Sequence, residues 1–228
     1  MLLDLVIPSL GRIDKLTATL NSIFLSSRDI PINLYIYFSD MVEWNHFQRQ
    51  LCHIPEIHLA LIDNYRVPNF WNAHLQKMVA DMMIYLNDDV LLYNNTLELV
   101  INKFEELGTD IVLGLSQSNL PEDQGLPGAF GIIGSKYADR FPNRQVFCPD
   151  YDRFHGDWEL MQHAKSIGRF HFDRDIKIEH LHPAFGGKED QTHRDVRRYL
   201  SKDKETFRQR QSKGFLWGNN FNLINHTL

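Results

Sequence analysis

Met82-Met83-Ile84-Tyr85-Leu86-Asn87-Asp88-Asp89-Val90 decides how this chain is read. An apolar run of strand length stops abruptly at two adjacent carboxylates. In open α/β sheets, ligands bind at strand ends. Neighbouring acids repel, so the pair requires a cationic partner: a divalent ion, a Lys or Arg, or a helix N-terminus. The plain alternative is a solvated acidic turn after a core strand.

Upstream, the same pattern repeats. Leu2 to Ile7 reads as a strand ending at Pro8, followed by the polar turn Ser9-Leu10-Gly11-Arg12. Ile13, Leu16, Leu20, Ile23 and Phe24 then recur at helical spacing. Ile32 to Phe38 is a second strand, closed by Ser39-Asp40, and Trp44, Phe47 and Leu51 mark a short helix. Ile57 to Ile62 is a third strand, closed by Asp63-Asn64. Phe70, Trp71, His74, Leu75, Met78 and Val79 form a helical stripe leading into the fourth strand. Strands alternating with helices imply an α/β fold, a mostly parallel sheet with helices on both faces. Ser9, Asp40, Asp63 and Asp88 all follow strand ends and should gather on one edge.

Downstream the regularity fades. Thr96 to Leu107 reads as a helix and Ile111 to Leu115 as a strand. A Gly-, Pro- and acid-rich loop spans 116–128, and Phe130 to Ile133 is a short strand before a helix begun by Ser135. Residues 141–156 are irregular and aromatic. Asp157 to Ile167 is a helix stopped by Gly168, Ile176 to Glu179 is a last strand, and the charged segment Asp190 to Lys213 is helical. The expected organisation is a regular α/β half over 1–115, a less regular second half of the same domain over 116–188, and a charged helical C-terminal tail over 189–228.

The 228 residues suit one large domain or two small lobes. A hydrophobic content of 43% permits a sizeable core, and no stretch approaches transmembrane length. Cys52 and Cys148 lie far apart without metal spacing and read as reduced thiols, so a cytoplasmic protein is expected. The net charge of −5 argues against broad binding to nucleic acid.

The order of elements resembles the GT-A glycosyltransferases, particularly the inverting family-2 type, over roughly residues 2–185. Four places carry the resemblance. Leu5-Val6-Ile7-Pro8-Ser9-Leu10-Gly11-Arg12 looks like the opening strand and nucleotide-contacting turn. Asp40 matches the acid that holds uracil. Asn87-Asp88-Asp89 looks like the DXD region. Gly156-Asp157-Trp158-Glu159-Leu160 is similar to the "ED" motif. His180 falls where many members place a histidine near the metal. Phe70-Trp71-Asn72 departs from the family's Arg-Asn pair: Asn72 matches and Trp71 does not.

The resemblance implies a metal-dependent transfer of sugar from a nucleotide-diphosphate donor, UDP first among them because of Asp40, to an acceptor hydroxyl. A divalent ion stabilises the departing diphosphate. Asp89 offers a hard oxygen suited to Mg²⁺ or Mn²⁺, and an imidazole tilts the choice to Mn²⁺. Asp88 is then expected to hold ribose or a metal-bound water. Pro8, Ser9, Arg12 and Asn72 are expected to contact the donor. His180 and His182 are expected to point to opposite faces, leaving one of them, His180, for the metal. Asp157 is the general base of the reaction, or alternatively a helix N-cap, and Glu159 is its nearest substitute. The aromatic run Phe147 to His155 serves either acceptor stacking or core packing. Arg194, Arg197, Arg198, Lys202 and Lys204 form a solvated helix face. The acceptor is read as a glycan precursor, with a modified base in phage-type DNA as the lesser reading. A nucleotidyltransferase would need a glycine-rich basic loop after the first strand, for which Ser9-Leu10-Gly11-Arg12 is sparse. A non-catalytic nucleotide-sugar or glycan-binding module predicts binding without turnover. A metal hydrolase on His180-Leu181-His182 lacks further ligands nearby.

Overall fold

Alternation along the early strands explains how both faces of one sheet are buried. In β1 (Leu3–Ser9), Leu3, Leu5 and Ile7 join one apolar cluster, and Val6 joins another on the opposite face. β4 (Met82–Tyr85) divides the same way: Met82 and Ile84 face one cluster, Met83 and Tyr85 the other. A strand apolar on both faces belongs between two layers of helices.

In this computed structural model the described residues are 1–27, 30–62, 66–120, 130–183 and 186–214. Asp63, Asn64, most of the loop 116–128, and the aromatic residues Phe215, Trp217 and Phe221 lie outside them.

The remaining elements are α1 (Ile13–Ser26), β2 (Ile32–Phe38), α2 (Met41–Leu51), β3 (Ile57–Leu61), α3 (Val67–Leu75), β5 (Val90–Leu92), α4 (Thr96–Leu107), β6 (Val112–Gln117), β7 (Gly131–Gly134), α5 (Ser135–Ala138), α6 (Gly156–Ser166), β8 (Phe170–His180) and α7 (Gln191–Ser212). They build an eight-stranded sheet in the order β3-β2-β1-β4-β7-β6-β8-β5. The first four strands pair in parallel, and β7 runs antiparallel to both β4 and β6. One cluster packs α1, α2 and α4 on one face through Leu16, Leu20, Ile23, Phe47, Val100 and Phe104. The other packs α3, α5 and α6 on the opposite face through Trp71, Leu75, Tyr137, Leu160 and Ala164. Each such side chain contributes roughly 1.5–3 kcal/mol when fully removed from water.

Three boundaries differ from expectation. The stripe of α3 ends at Leu75, and Val79 is 90% exposed. Periodicity carried it one turn too far, because the chain leaves the helix to enter β4. Phe24 is also exposed, on the outer side of α1. β8 begins at Phe170, six residues before the expected strand. Its first half has Phe170 and Phe172 but no buried residue and runs into Asp173-Arg174-Asp175, so its apolar signal is weak. A register shift opposite Leu115/Ser116 lets β8 pair in parallel with β6 and then antiparallel with β5, setting His180 opposite Val90.

The chain order explains where a site must form. From β1 the chain moves outward to β2 and β3, then returns across to β4 on the other side of β1. The crevice at the carboxyl ends of β1 and β4 is therefore the topological switch point. β1 ends there in Pro8-Ser9, and β4 ends in Asn87-Asp88-Asp89.

Candidate active site

The β1–α1 turn is shaped before any ligand arrives. Gly11 adopts φ +65, a left-handed conformation that glycine takes without strain, with Asp40 Cγ 3.9 Å from where a Cβ would stand. Glu43, fully buried in the first turn of α2, reaches across to this turn. Its Oε1 lies 2.7 Å from Ser9 Oγ and accepts from the Arg12 amide at 3.1 Å, and its Oε2 accepts from the Gly11 amide at 2.8 Å. Ser9 Oγ is equally close, 2.7 Å, to Asp88 Oδ2. One hydroxyl proton cannot serve two carboxylates, so one acid must supply a proton. Burial and the charge of Asp88 raise the pKa of Glu43, although its hydrogen bonds from Ser9 and the Gly11 and Arg12 amides oppose them.

Arg12 is the cation that the acidic strand end requires. Its Nη2 pairs with Asp88 Oδ1, its Nε donates to Asp88 Oδ2 at 3.1 Å, and its Nη1 donates to Asp89 Oδ2 at 2.9 Å. Burial works against its charge, but Asp88 and Asp89 outweigh burial and raise its pKa. Burial likewise opposes ionisation of Asp89. Hydrogen bonds from His180 and His193, with the charge of Arg12, hold its carboxyl well below the usual range.

Three histidines close around Asp89. His180 Nε2 lies 3.3 Å from Asp89 Oδ1, and His193 Nε2 lies 3.6 Å from Asp89 Oδ2. The His182 ring sits 5.2 Å from that of His180 and 4.9 Å from that of His193, centroid to centroid. The two strand-end histidines therefore do not diverge as expected: side chains two apart on an extended chain share a face. Burial, reinforced by the neighbouring imidazoles, lowers the pKa of His182 to about 4.

A cavity of about 670 Å³ opens over this cluster. Pro8, Ser9, Arg12, Asn87, Asp89 and His180 line one side of it, and Asp157 and Trp158 reach it from α6. Asp157 is the second residue of α6, not its cap. The capping position is His155, with φ +68 and no side-chain cap bond. Asp157 is half-buried where α6 meets the cavity, and loss of solvation raises its pKa to about 7 despite opposing bonds from the amides of Trp158 and Asp157 itself. Glu159 points elsewhere: it is buried, accepts from Tyr151 Oη at 2.6 Å, and forms a two-pronged pair with Arg210 at 2.7 and 2.8 Å. Those bonds take it out of contention as the substitute base. The aromatic run is split, with Phe147 and Tyr151 in the core and Phe154 and His155 on the cavity wall.

Several expected donor contacts have structural duties instead. Both oxygens of Asp88 are engaged by Arg12, Ser9 and the turn backbone, and it is not on the cavity wall. Ribose or a metal-bound water would have to displace those bonds. Asn72 is buried and clamps the Phe147 backbone in both directions, at 2.7 and 2.9 Å. Asp40 caps α2, its Oδ1 accepting from the Glu43 amide at 2.7 Å, and its neighbour Ser39 lines the cavity. The clustering of strand ends holds for Ser9, Asp40 and Asp88, through Ser9–Asp88 and the Ser39 amide bonded to Ser9 O at 3.0 Å.

The sequence pointed to neither Glu43 nor α7 as part of the site. Glu43 carried a signal: Asp40-x-x-Glu43 has the spacing of a capping box, but here the glutamate bonds to another loop rather than back to its cap. The charged helix read as solvated supplies Thr192, His193, Val196 and Leu200 to the cavity wall. Its N-terminus is tied to the β1–α1 turn by Thr192 Oγ1 donating to Leu10 O at 2.9 Å and by Lys15 paired with Asp190 at 2.8 Å.

Among the described residues, no three His, Cys, Asp or Glu are arranged to hold a metal by themselves. Asp89 and His180 offer one oxygen and one nitrogen 3.3 Å apart. That fits an ion of the Mn²⁺ or Mg²⁺ type whose other positions are filled by phosphate oxygens and water. No helix among the described residues is long and apolar enough to cross a membrane.

No protein-family model matches the chain, and no curated protein matches its sequence. Solved structures do match its fold. TarS 1-349 of S. aureus in complex with UDP-GlcNAc aligns at a TM-score of 0.63 and 12% identity, over 78% of this chain and 57% of that one. The mannosyltransferase PcManGT from Pyrobaculum calidifontis, in complex with GDP-Man and Mn²⁺, aligns at 0.61 and 13% identity, over 90% of this chain and 64% of that one. The chain thus spans less than two thirds of either neighbour. At these identities the likeness establishes the α/β fold expected from the sequence.

Proposed function

We propose that the chain is a glycosyltransferase that moves a sugar from a nucleotide-diphosphate donor, UDP first among them, to an acceptor hydroxyl, with inversion at the anomeric carbon. One observation carries the reading. A single cavity at the switch point joins Arg12, Asp89 and His180 on one side with Asp157, a carboxyl whose pKa lies near 7, on the other. The first group suits a diphosphate, and the second suits a proton acceptor at neutral pH. The two folded neighbours whose complexes contain UDP-GlcNAc and GDP-Man with Mn²⁺ support the same class of donor.

In this reading the donor lies along Pro8, Ser9 and Ser39, and Asp40 accepts a hydrogen bond from the uracil ring at the edge of the cleft. Asp89 and His180 would hold Mn²⁺ or Mg²⁺, which supplies Lewis-acid charge for the departing diphosphate. Arg12, fixed by Asp88 and Asp89, adds positive charge facing the same oxygens. Asp157 takes the proton from the acceptor hydroxyl as its oxygen bonds to the anomeric carbon and the bond to the diphosphate breaks. Phe154 and Trp158 offer rings on which an acceptor such as a glycan precursor stacks.

The test is slow donor hydrolysis across a panel of nucleotide sugars, with Mn²⁺, with Mg²⁺ and with excess chelator. The expected result is release of nucleotide diphosphate from one donor, lost in chelator and reduced at least about a hundredfold by Asp89→Ala. Turnover of no donor, with no binding of UDP or GDP by calorimetry, would refute the proposal. Full activity in chelator would remove the metal alone.

A further inference from the structure

Asp203 is fully buried in the middle of α7, away from the cavity wall. Its carboxylate accepts three consecutive backbone amides: Asp152 at 3.0 Å, Arg153 at 2.8 Å and Phe154 at 2.8 Å. A carboxylate enclosed this way is costly unless it is multiply bonded, and these bonds meet that need. They also fix the backbone of residues 152–154. From Phe154 the chain passes through left-handed His155 to Gly156 and then Asp157.

The same helix grips this segment at three more points. Lys202 pairs with Asp152, Phe207 stacks on the His155 ring at 5.3 Å, and Arg210 holds Glu159 on the far side of Asp157. The segments that flank Asp157 along the chain are thus both held by α7. Left-handed His155, two residues before Asp157, is the joint most in need of outside support, since that conformation is strained for a residue other than glycine.

We propose that Asp203 is a positioning residue: by holding the amides of 152–154, it sets the direction in which Asp157 faces the acceptor. This rests on the reading of Asp157 as the proton acceptor. A role confined to stability would lower the melting temperature and leave turnover well below that temperature unchanged.

Asp203→Asn, with Asp203→Glu as a second variant, separates the two. Asn keeps the volume but replaces one accepting oxygen with a donor; Glu keeps both oxygens and displaces them by a methylene. Hydrogen exchange of the 152–154 amides reads the grip directly, and transfer or donor-hydrolysis kinetics read its consequence. The expected outcome for Asn is lost protection at those amides and a kcat reduced about tenfold to a hundredfold, the scale of an ångström-sized misplacement. The donor KM stays within about twofold, and the acid limb of the kcat profile moves from its wild-type position. Glu, with the geometry displaced, falls between Asn and wild type. Unchanged amide protection, or a normal kcat and acid limb in a folded variant, overturns the proposal. A wild type that turns over no nucleotide sugar instead sinks the role of Asp157 and, with it, the catalytic half of this inference.

Discussion

Asp157 sits where two physical effects compete. Two backbone amides in the first turn of α6 favour its charged form, and partial enclosure, which strips solvent from it, disfavours it. Enclosure wins, leaving a pKa of about 7 against an ordinary 3.8. An acid whose folded pKa lies above its unfolded value binds its proton more readily in the folded state. Its contribution to stability is therefore complete below about pH 4, declines as pH rises to about 7, and is constant above that. Asp157→Asn removes this loss. The variant is expected to unfold at higher temperature than wild type at pH 8 and at nearly the same temperature at pH 4, with a gap at pH 8 of up to about 4 kcal/mol. Its turnover falls roughly a hundredfold to ten-thousandfold, while donor affinity is kept. In wild type, kcat/KM drops about tenfold per pH unit below 7. Normal turnover in the Asn variant would move the base elsewhere, and a stability gap independent of pH would show that the carboxyl is solvated.

Helix α2 shows how one element supports another across the sheet edge. Asp40 caps the helix, and the capped turn presents Glu43 to the β1–α1 loop. Glu43 takes the Gly11 and Arg12 amides and shares the Ser9 hydroxyl with Asp88, so the shape of the loop depends on a carboxyl from a helix about thirty residues downstream in the chain. Glu43→Ala is expected to cost about 1–3 kcal/mol in chemical denaturation, the penalty for buried donors left unmade, and to weaken UDP binding by loosening the turn. Glu43→Gln keeps an accepting oxygen and places an N–H beside Ser9, as a protonated carboxyl would, and is expected to recover most of that loss. Gln as damaging as Ala would show that Glu43 is ionised. The glutamate was legible only as a capping-box residue, because spacing reports a helix start and says nothing of what faces it.

At the scale of the molecule, α7 turns an open sheet edge into an enclosed cavity. Its N-terminal half supplies cavity wall, and its C-terminal half carries the buried acid Asp203 and the partner of Glu159. Arg210→Met leaves Glu159 with Tyr151 but without its cation. Removing one member of a buried pair costs on the order of 3 kcal/mol, so a marked drop in melting temperature is expected. A melting temperature within a degree of wild type would mean that the pair is screened by solvent. The charged composition of this helix suggested a solvated face because charge patterning cannot distinguish a side chain paired with water from one paired with the loop beneath it.

By itself, the sequence determined the alternation of strands and helices, the parallel start of the sheet and the edge where polar strand ends collect. Those features follow from apolar periodicity and from residues such as Gly11 and Gly168 that set local conformation. It also marked the acids at the end of β4, while His180 and Asp157 were singled out by the family resemblance; Asp89, His180 and Asp157 all line the cavity. Tertiary structure alone decided which neighbours each group meets. It matched Arg12 to the paired acids, withdrew Asp88, Asn72 and Glu159 from the cavity, set His182 and His193 beside His180, and wrapped α7 around the loop before Asp157. Pairings between residues scores of positions apart depend on how elements cross in space, and burial, which shifts the pKa of Asp157, is a property of that arrangement and not of any stretch of chain.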